Sequence, residues 1–283
     1  MMRPILRRLI PCLLLLAYAC SAFATERAAT AAANVQVLDT LLPMPGLARE
    51  RRLRLFLPSS YGSAPERRYP VIYMHDGQNL FDDRSSYAGE WGVDETLLAL
   101  ERSHGFEAIV VGIDNGGEKR MNELSPWPNP KFGAAEGEAY ARFVVEVVKP
   151  WIDARYRTRP GREATALIGS SMGGLITHYM LHRYPEVFTK AGVFSPSFWF
   201  SASAYDYARQ HPLPGDSRVY LYAGGKEGES MVPDAQRMLT TLRQTGGTQT
   251  LSLLVDPAAQ HNEAAWRQQL PAALIWLFEL KPR

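Results

Sequence analysis

One serine of the chain has neighbours that suit it to nucleophilic chemistry. Residues 169–173 read Gly-Ser-Ser-Met-Gly, which is the pattern G-x-S-x-G with Ser171 at its centre. An apolar run precedes the pattern and apolar residues at helical spacing follow it, which predicts a strand, a tight turn and a helix. Flanking glycines would remove side chains that collide with a serine in a strained backbone conformation. We therefore predict Ser171, and not Ser170 at the variable position, as a nucleophile; the alternative is a small-residue turn without chemistry.

A serine hydroxyl needs a base, and residues further along the chain could supply it. His261 follows the last predicted strand, where a loop would carry it to the same sheet edge as Ser171. Glu227 is the first carboxylate after the preceding strand, and its role would be to orient the imidazole. Glu229 and Asp234 are the alternatives for this acid, and a serine–histidine pair without a strong acid partner is another.

The other histidines are predicted to have no part in this chemistry. His178 and His182 are spaced i, i+4 on the helix after Ser171, a spacing that can bind a metal, but no third ligand is evident. We therefore predict no metal site. His75 and Asp76 are predicted to be a buried polar pair that orders the loop after the third strand.

Backbone amides would complete the site by stabilising an oxyanion. One donor is predicted to be the N–H of Met172, directly after the nucleophile. The other is predicted to be the N–H of Gln78, in the loop after the third strand, where Gly77 permits a close approach.

The elements that must position these residues alternate along the chain. The predicted strands cover residues 35–42, 52–57, 69–74, 108–113, 164–168, 190–194, 218–222 and 250–255. The predicted helices cover residues 136–156, with Pro150 as a late interruption, 171–184, 233–244 and 271–280. This alternation indicates an α/β protein with a mostly parallel eight-stranded sheet and helices on both faces; the first two strands could form an antiparallel edge.

The first 24 residues are predicted to be a signal peptide. Three arginines lie near the start, residues 12–19 form an apolar core shorter than a membrane span, and residues 22–24 read Ala-Phe-Ala, a small-x-small cleavage site. The cleaved protein would be periplasmic or secreted; the alternative is an N-terminal membrane anchor. Residues 25–34 are predicted to be a flexible leader, and residues 35–283 a single catalytic domain.

Charge and cysteine content narrow the classes of partner. Both cysteines, Cys12 and Cys20, lie in the predicted signal peptide, so the mature chain would have no disulfide and no thiol nucleophile. The whole chain carries a formal charge of +2 and this segment has three arginines and no acid, so the remainder carries −1. That balance argues against nucleic-acid partners, and the lack of a second long apolar stretch argues against stable membrane insertion after signal removal.

The chain resembles the esterase D-type branch of the α/β-hydrolase superfamily, and in particular its ferric-siderophore esterases. The resemblance spans nearly all of the predicted mature chain and rests on the stretches YPVIYMHDGQNLFD, GEWGVDETL, VVGIDN, GSSMGGL, SPSFW, LYAGGKE and QHNEAAWRQQLPAAL. It implies the α/β-hydrolase fold, with Ser171, Glu227 and His261 in the triad positions and Gln78 and Met172 in the oxyanion positions. Feruloyl esterases often carry aspartate where this chain has Glu227.

The resemblance also implies the reaction. We expect a serine carboxylic-ester hydrolase that forms an acyl-enzyme, needs no cofactor, and acts on a small-molecule ester: a siderophore ester or an acyl or feruloyl carbohydrate ester. An acyltransferase on the same triad is one alternative. A non-catalytic binding protein that kept the fold is another.

Loop residues at the same sheet edge are candidates for substrate binding. Trp91, Trp127 and Trp199 each lie near glycine, proline or serine, and an exposed tryptophan could stack on a sugar or an aromatic acyl group. Arg120, in the long loop 115–132, could bind a carboxylate or a catecholate. A buried structural role is the alternative for each tryptophan.

The signal-peptide prediction can be tested on the exported protein. Cleavage after residue 24 should give a mature chain that begins at Thr25, as read by N-terminal sequencing and intact mass. Ala24→Leu should block this cleavage because the site requires small side chains. A mature chain that retains residues 1–24 in the wild type would contradict the prediction.

Overall fold

The computed structural model describes residues 27–283. The predicted signal peptide and the first two residues of the predicted leader lie outside the described residues. Within the leader, Ala32 N donates to Asp94 Oδ2 at 2.7 Å and Thr30 Oγ1 donates to Glu90 Oε2 at 3.0 Å. The flexibility of residues 25–34 stays a prediction.

An eight-stranded sheet organises the described chain. The strands are β1 (Val35–Val37), β2 (Leu42–Met44), β3 (Arg49–Arg51), β4 (Leu53–Phe56), β5 (Val71–His75), β6 (Ile109–Ile113), β7 (Thr165–Ser170), β8 (Lys190–Phe194), β9 (Arg218–Gly224) and β10 (Thr250–Asp256). The order is β1-β4-β6-β5-β7-β8-β9-β10, with β2 and β3 as a separate two-stranded sheet. The pairs among β5 to β10 are parallel, whereas β1–β4 and β4–β6 are antiparallel. The predicted α/β class, the parallel sheet and its antiparallel edge are confirmed.

Helices cover both faces because the central strands are apolar on both sides. The helices are α1 (Val93–His104), α2 (Arg120–Glu123), α3 (Gly137–Arg142), α4 (Lys149–Arg155), α5 (Met172–Arg183), α6 (Ser203–Gln210), α7 (Met231–Gln244) and α8 (Glu263–Phe278). Along β5, Val71 and Tyr73 pack into one buried cluster with α3 to α7, and Ile72 and Met74 into the other with α1 and α8. The two cores fix the sheet, so its carboxyl edge is a rigid platform for loops.

The structure differs from the predicted elements in several places. The predicted strand 35–42 is β1, which ends at Val37, together with the first residue of β2, and the hairpin of β2 and β3 was not predicted. Helices α1, α2 and α6 were also missed. A π-helical segment, Phe143–Val148, joins α3 to α4, so the helical stretch continues through Pro150 instead of breaking there. Helix α8 begins at Glu263 and contains Pro271, which the sequence placed at the helix start.

The long loop after β6 is anchored by a buried carboxylate. Glu123 at the end of α2 is fully buried, and it accepts hydrogen bonds from Arg49 at 2.5 Å and Arg51 at 2.7 Å, both on β3. A buried carboxylate needs such partners. The hairpin therefore fixes α2, whose first residue is Arg120.

His178 and His182 lie inside the protein on α5. His182 Nδ1 is 2.6 Å from the carbonyl oxygen of His211. The imidazoles of His178 and His182 pack edge to face, with ring centroids 4.6 Å apart. Burial lowers the pKa of His182 to about 4 and holds the pKa of His178 well below its ordinary value. Among residues 27–283, no helix has both the length and the apolar character needed to cross a bilayer.

The buried histidines should make folding stability depend on pH. An unfolded histidine binds a proton near pH 6.5 and folded His182 only near pH 4, so the unfolded state gains protons first as the pH falls. Stability should be full above about pH 6.5 and fall below it by up to about 1.4 kcal/mol per pH unit for each such histidine. Urea denaturation of His182→Asn should show a shallower fall than wild type, while the control His104→Asn should match wild type. Equal slopes for both variants would contradict the account.

Candidate active site

Ser171 lies on the turn between β7 and α5 in a strained conformation. Its backbone has φ 58° and ψ −121°, which non-glycine residues rarely adopt. Its N–H donates to Phe194 O at 3.0 Å, and its carbonyl accepts from Ser197 N at 3.0 Å and Leu175 N at 3.1 Å. These bonds tie both sides of the Ser171 backbone to the neighbouring segments, so the strain is maintained by the fold.

Gly169 makes this turn possible by a close approach of two backbones. A Cβ at residue 169 would lie 2.5 Å from the carbonyl oxygen of Gly173, well inside contact distance. At Gly173 the nearest atom would be Asp76 Oδ2, at 3.2 Å. The glycine requirement read from the sequence is therefore strict at position 169 and milder at position 173.

The structure brings the predicted base and acid together. His261 Nδ1 is 2.7 Å from Glu227 Oε2, and the Glu227 side chain is fully buried while that of His261 is 36% exposed. The Glu227 carboxylate also accepts hydrogen bonds at Oε1 from Gly224 N and Ser195 Oγ, each at 2.7 Å. The alternative acids lie elsewhere: Asp234 Oδ1 accepts from the Tyr205 hydroxyl at 3.0 Å, and Glu229 is exposed.

The hydroxyl of Ser171 has a different neighbour from the one predicted. Its Oγ is 3.3 Å from Ser197 Oγ, and within residues 27–283 this is its hydrogen-bond partner. His261 and Ser171 both line the same cavity of 540 Å³. A hydroxyl can exchange one partner for another by rotation about its side-chain bonds, and such contacts often tighten only with substrate present.

The two predicted oxyanion donors have free amides. Met172 is the first residue of α5 and Gln78 belongs to the 3₁₀ turn Gly77–Asn79. In the described part of the chain, neither N–H donates to another protein group. Asp76, in left-handed conformation, begins the turn. Gly77 packs so tightly against the end of β6 that a Cβ would lie 2.9 Å from the carbonyl carbon of Gly112.

The cavity that holds Ser171 and His261 has both charged and aromatic walls. Its lining residues are Asp76, Gln78, Asn79, Tyr87, Ala88, Trp91, Asn115, Gly117, Arg120, Ser170, Ser171, His261, Glu263 and Trp266. Arg120 donates to both Asp76 oxygens, from Nε at 2.6 Å and from Nη2 at 2.9 Å, and Asn115 donates to Oδ1 at 2.7 Å. Burial alone would raise the pKa of Asp76, but the Arg120 guanidinium holds it below its ordinary value.

A second carboxyl, Glu263, faces the same cavity. Its Oε1 accepts from Asn79 Nδ2 at 3.3 Å, and burial together with nearby Asp76 raises the pKa of the group. His75 lies behind the cavity, with Nδ1 2.7 Å from the Tyr140 hydroxyl, and burial lowers its pKa to about 4. His75 and Asp76 are thus both buried, but each pairs with a different partner and not with the other.

The predicted substrate-binding residues divide into two groups. Arg120 and Trp91 line the cavity, Trp91 with only 2% of its surface exposed. Trp199 is 51% exposed and lies outside the cavity lining, against Phe132 and Phe200. Trp127 packs against Tyr179 and Tyr207.

Several site residues were not found from the sequence. Ser195 contacts Glu227, Ser197 contacts Ser171, and Glu263 and Trp266 line the cavity from the start of α8. A signal was available for Ser195 and Ser197, because both are polar residues just past β8, at the edge that carries Ser171. Their roles depend on contacts with segments distant in sequence.

The sequence of residues 45–277 matches the protein family described as "Putative esterase". The match covers most of the chain, and the chain belongs to this family and is an esterase. The predicted resemblance to esterases of the siderophore type is confirmed by the proteins that share its sequence and fold.

Three comparisons illustrate the relationship. The uncharacterized protein YbbA of Bacillus subtilis is 27% identical over 246 residues, 82% of this chain and 94% of YbbA. A protein named siderophore enterobactin esterase, from Emericella nidulans, is 34% identical over 160 residues, about half of each chain (50% and 51%). The crystal structure of the BES protein from Bacillus cereus has the same fold, with a TM-score of 0.71 and 20% identity over 89% of this chain and 97% of that one.

Gly169→Ala tests the close approach at the turn. The added methyl group would lie 2.5 Å from a backbone oxygen, so the turn must shift. We expect a loss of about 1–3 kcal/mol of unfolding free energy and a large loss of esterase turnover. The matched control is Gly62→Ala, where a Cβ meets nothing within 4 Å. The measurements are chemical denaturation and esterase turnover of both variants. Equal unfolding free energies and equal turnover in the two variants would contradict the account.

Proposed function

We propose that this esterase is a serine carboxylic-ester hydrolase that works through an acyl-enzyme on Ser171. The observation that carries the proposal is the 2.7 Å contact between buried Glu227 and His261, because His261 lines the same cavity as the strained Ser171. Nucleophile, base and orienting acid then follow in the order in which an α/β-hydrolase places them.

In the first half-reaction, Ser171 Oγ attacks the ester carbonyl carbon. Its hydroxyl turns from Ser197 to His261 Nε2, which takes the proton, while Glu227 stabilises the imidazolium through Nδ1–H. The free N–H groups of Met172 and Gln78 donate to the oxyanion. The tetrahedral intermediate then collapses, the carbon–oxygen bond to the alcohol breaks, and the imidazolium gives its proton to the leaving oxygen.

Water completes the cycle in the second half-reaction. His261 takes a proton from water, the hydroxide attacks the acyl carbon, and Ser171 leaves with the proton returned by His261. Every proton in this sequence moves through one imidazole, so no metal ion or cofactor takes part in the proposed steps.

The cavity walls favour an ester with an aromatic, hydroxylated acyl group. The exposed Tyr87 supplies a ring surface, the buried Trp91 and Trp266 form part of the cavity wall, and Glu263 can accept a hydrogen bond from a phenolic hydroxyl. Arg120 uses Nε and Nη2 on Asp76, which leaves Nη1 to donate to the substrate. Because one relative is named a siderophore enterobactin esterase, we propose a siderophore ester as the substrate, with an acyl or feruloyl carbohydrate ester second. The predicted signal peptide supports action in the periplasm or outside the cell.

Substitution of the three central residues tests the mechanism. Ser171→Ala and His261→Ala should each reduce kcat for p-nitrophenyl butyrate by about 10³-fold or more. Glu227→Gln should reduce it less but still strongly, because an amide that donates to Nδ1 leaves the imidazole proton on Nε2, the wrong tautomer for a base. The measurements are steady-state rates and circular dichroism of each variant. His211→Ala, outside the cavity lining, is the control and should retain activity, and Ser170→Ala tests which of the two adjacent serines reacts.

Two outcomes would contradict the proposal. Ser171→Ala with wild-type turnover would mean that another group performs the hydrolysis. Loss of activity in Ser170→Ala but not in Ser171→Ala would mean that Ser170 is the nucleophile. A product in which the acyl group passes to an added sugar or alcohol, in preference to water, would instead identify an acyltransferase on the same triad.

A further inference from the structure

Glu227 is held from two directions, and only one of them is the predicted base. Oε2 faces His261 Nδ1, while Oε1 accepts hydrogen bonds from Gly224 N and Ser195 Oγ at 2.7 Å. The carboxylate is fully buried, so each of these donors offsets part of the cost of its desolvation. Glutamate also has one more rotatable bond than aspartate, and fixing Oε1 removes that freedom.

Ser195 has a backbone conformation that a side chain disfavours. Its φ is 42°, in the left-handed region, and the residue is completely buried at the end of β8. Its N–H donates to Tyr222 O at 2.7 Å, which ties it to β9, the strand that leads to Glu227. Glycine would adopt this backbone without strain. What serine adds at this position is a hydroxyl that can form hydrogen bonds.

Trp266 fixes the direction of the hydrogen bond from Ser195. Its indole Nε1 is 2.9 Å from Ser195 Oγ, and an indole nitrogen can only donate. Ser195 Oγ therefore accepts from Trp266 and directs its own hydrogen to Glu227 Oε1. The donor chain runs from Trp266 through Ser195 to the carboxylate.

The same indole also contacts the imidazole. The rings of Trp266 and His261 are nearly perpendicular, with 87° between planes and 5.1 Å between centroids. Trp266 also packs against Trp91, with ring centroids 5.5 Å apart. One buried side chain, in the first turns of α8, thus supports both the acid and the partly exposed histidine.

We propose that Ser195 and Trp266 are positioning residues for the Glu227–His261 pair. This proposal rests on the proposed serine-hydrolase function. The donor chain keeps Oε2 of Glu227 aimed at Nδ1 of His261, and the indole limits rotation of the imidazole. Neither residue exchanges a proton with the substrate.

Conservative variants separate this role from a merely structural one. Trp266→Phe keeps an aromatic ring and removes the N–H, and Ser195→Ala removes the hydroxyl. Each should lower kcat for p-nitrophenyl butyrate by about tenfold or more with little change in KM, as is usual for residues that orient a catalytic ligand. The matched control is Trp276→Phe, on the same helix but packed against Tyr220, which should match wild type.

A double-mutant cycle gives the decisive comparison. In the Ser195→Ala background the indole has lost its link to Glu227, so adding Trp266→Phe should cost less than about threefold further in kcat. Full additivity, single variants with wild-type kcat, or a loss confined to KM would overturn the proposal. Melting temperatures identify variants that fail to fold. If Ser195→Ala fails, Ser195→Gly adopts the left-handed backbone without strain and also lacks the hydroxyl, so its kcat should be low if the proposal holds and equal to wild type if it does not. An inactive wild type, or an active Ser171→Ala, would instead overturn the proposed function itself.

Discussion

The contact between the backbones of Gly169 and Gly173 is the constraint on which the site depends. It lets β7 turn directly into α5 and holds Ser171 at positive φ, where its side chain leaves the sheet at the carboxyl edge. Because Phe194 and Ser197 bind the two sides of the Ser171 peptide, the segment after β8 is placed by the same turn. Ser171, its neighbour Ser197 and Ser195, which donates to Glu227, are thus held by one set of backbone contacts.

Buried charges are concentrated around this unit, and each has partners of its own. Glu227 has His261 and two hydrogen-bond donors, and Asp76 has Arg120 and Asn115. Unpaired burial of such groups would cost several kcal/mol, so their networks limit the loops to one arrangement. The polar contacts therefore supply the precision of the site, while the two apolar cores on the faces of the sheet supply most of the stability.

Order along the chain was enough to predict Ser171, Glu227 and His261, since residues that follow parallel strands meet at one edge of the sheet. The same reasoning could not find Ser195 or Trp266, whose hydrogen bond joins residues that are 71 positions apart. Their pairing depends on how α8 packs on the sheet. Tertiary packing also decides which tryptophan is buried. Trp91 and Trp199 lie in similarly loop-like sequence, but only Trp91 is buried.

The predictions for α1 and for the start of α8 were wrong for local reasons. Helix α1 follows Gly92, which has a left-handed backbone and no capping side chain, so its start had no recognisable signal. Pro271 suggested a helix start, but α8 is already capped by Asn262, whose Oδ1 accepts from Ala265 N at 3.0 Å. Packing of the apolar residues on both sides of Pro271 against the sheet outweighs the hydrogen bond that proline removes.

The central claim is that Ser171 is the nucleophile and that His261 activates it. The most direct measurement is peptide mapping by mass spectrometry after reaction with a fluorophosphonate, which phosphonylates activated serines with loss of fluoride. The account predicts a single adduct on Ser171, formed far more slowly when His261 is replaced by alanine. An adduct on Ser170 or Ser197, or labelling of Ser171 at an unchanged rate without His261, would contradict it.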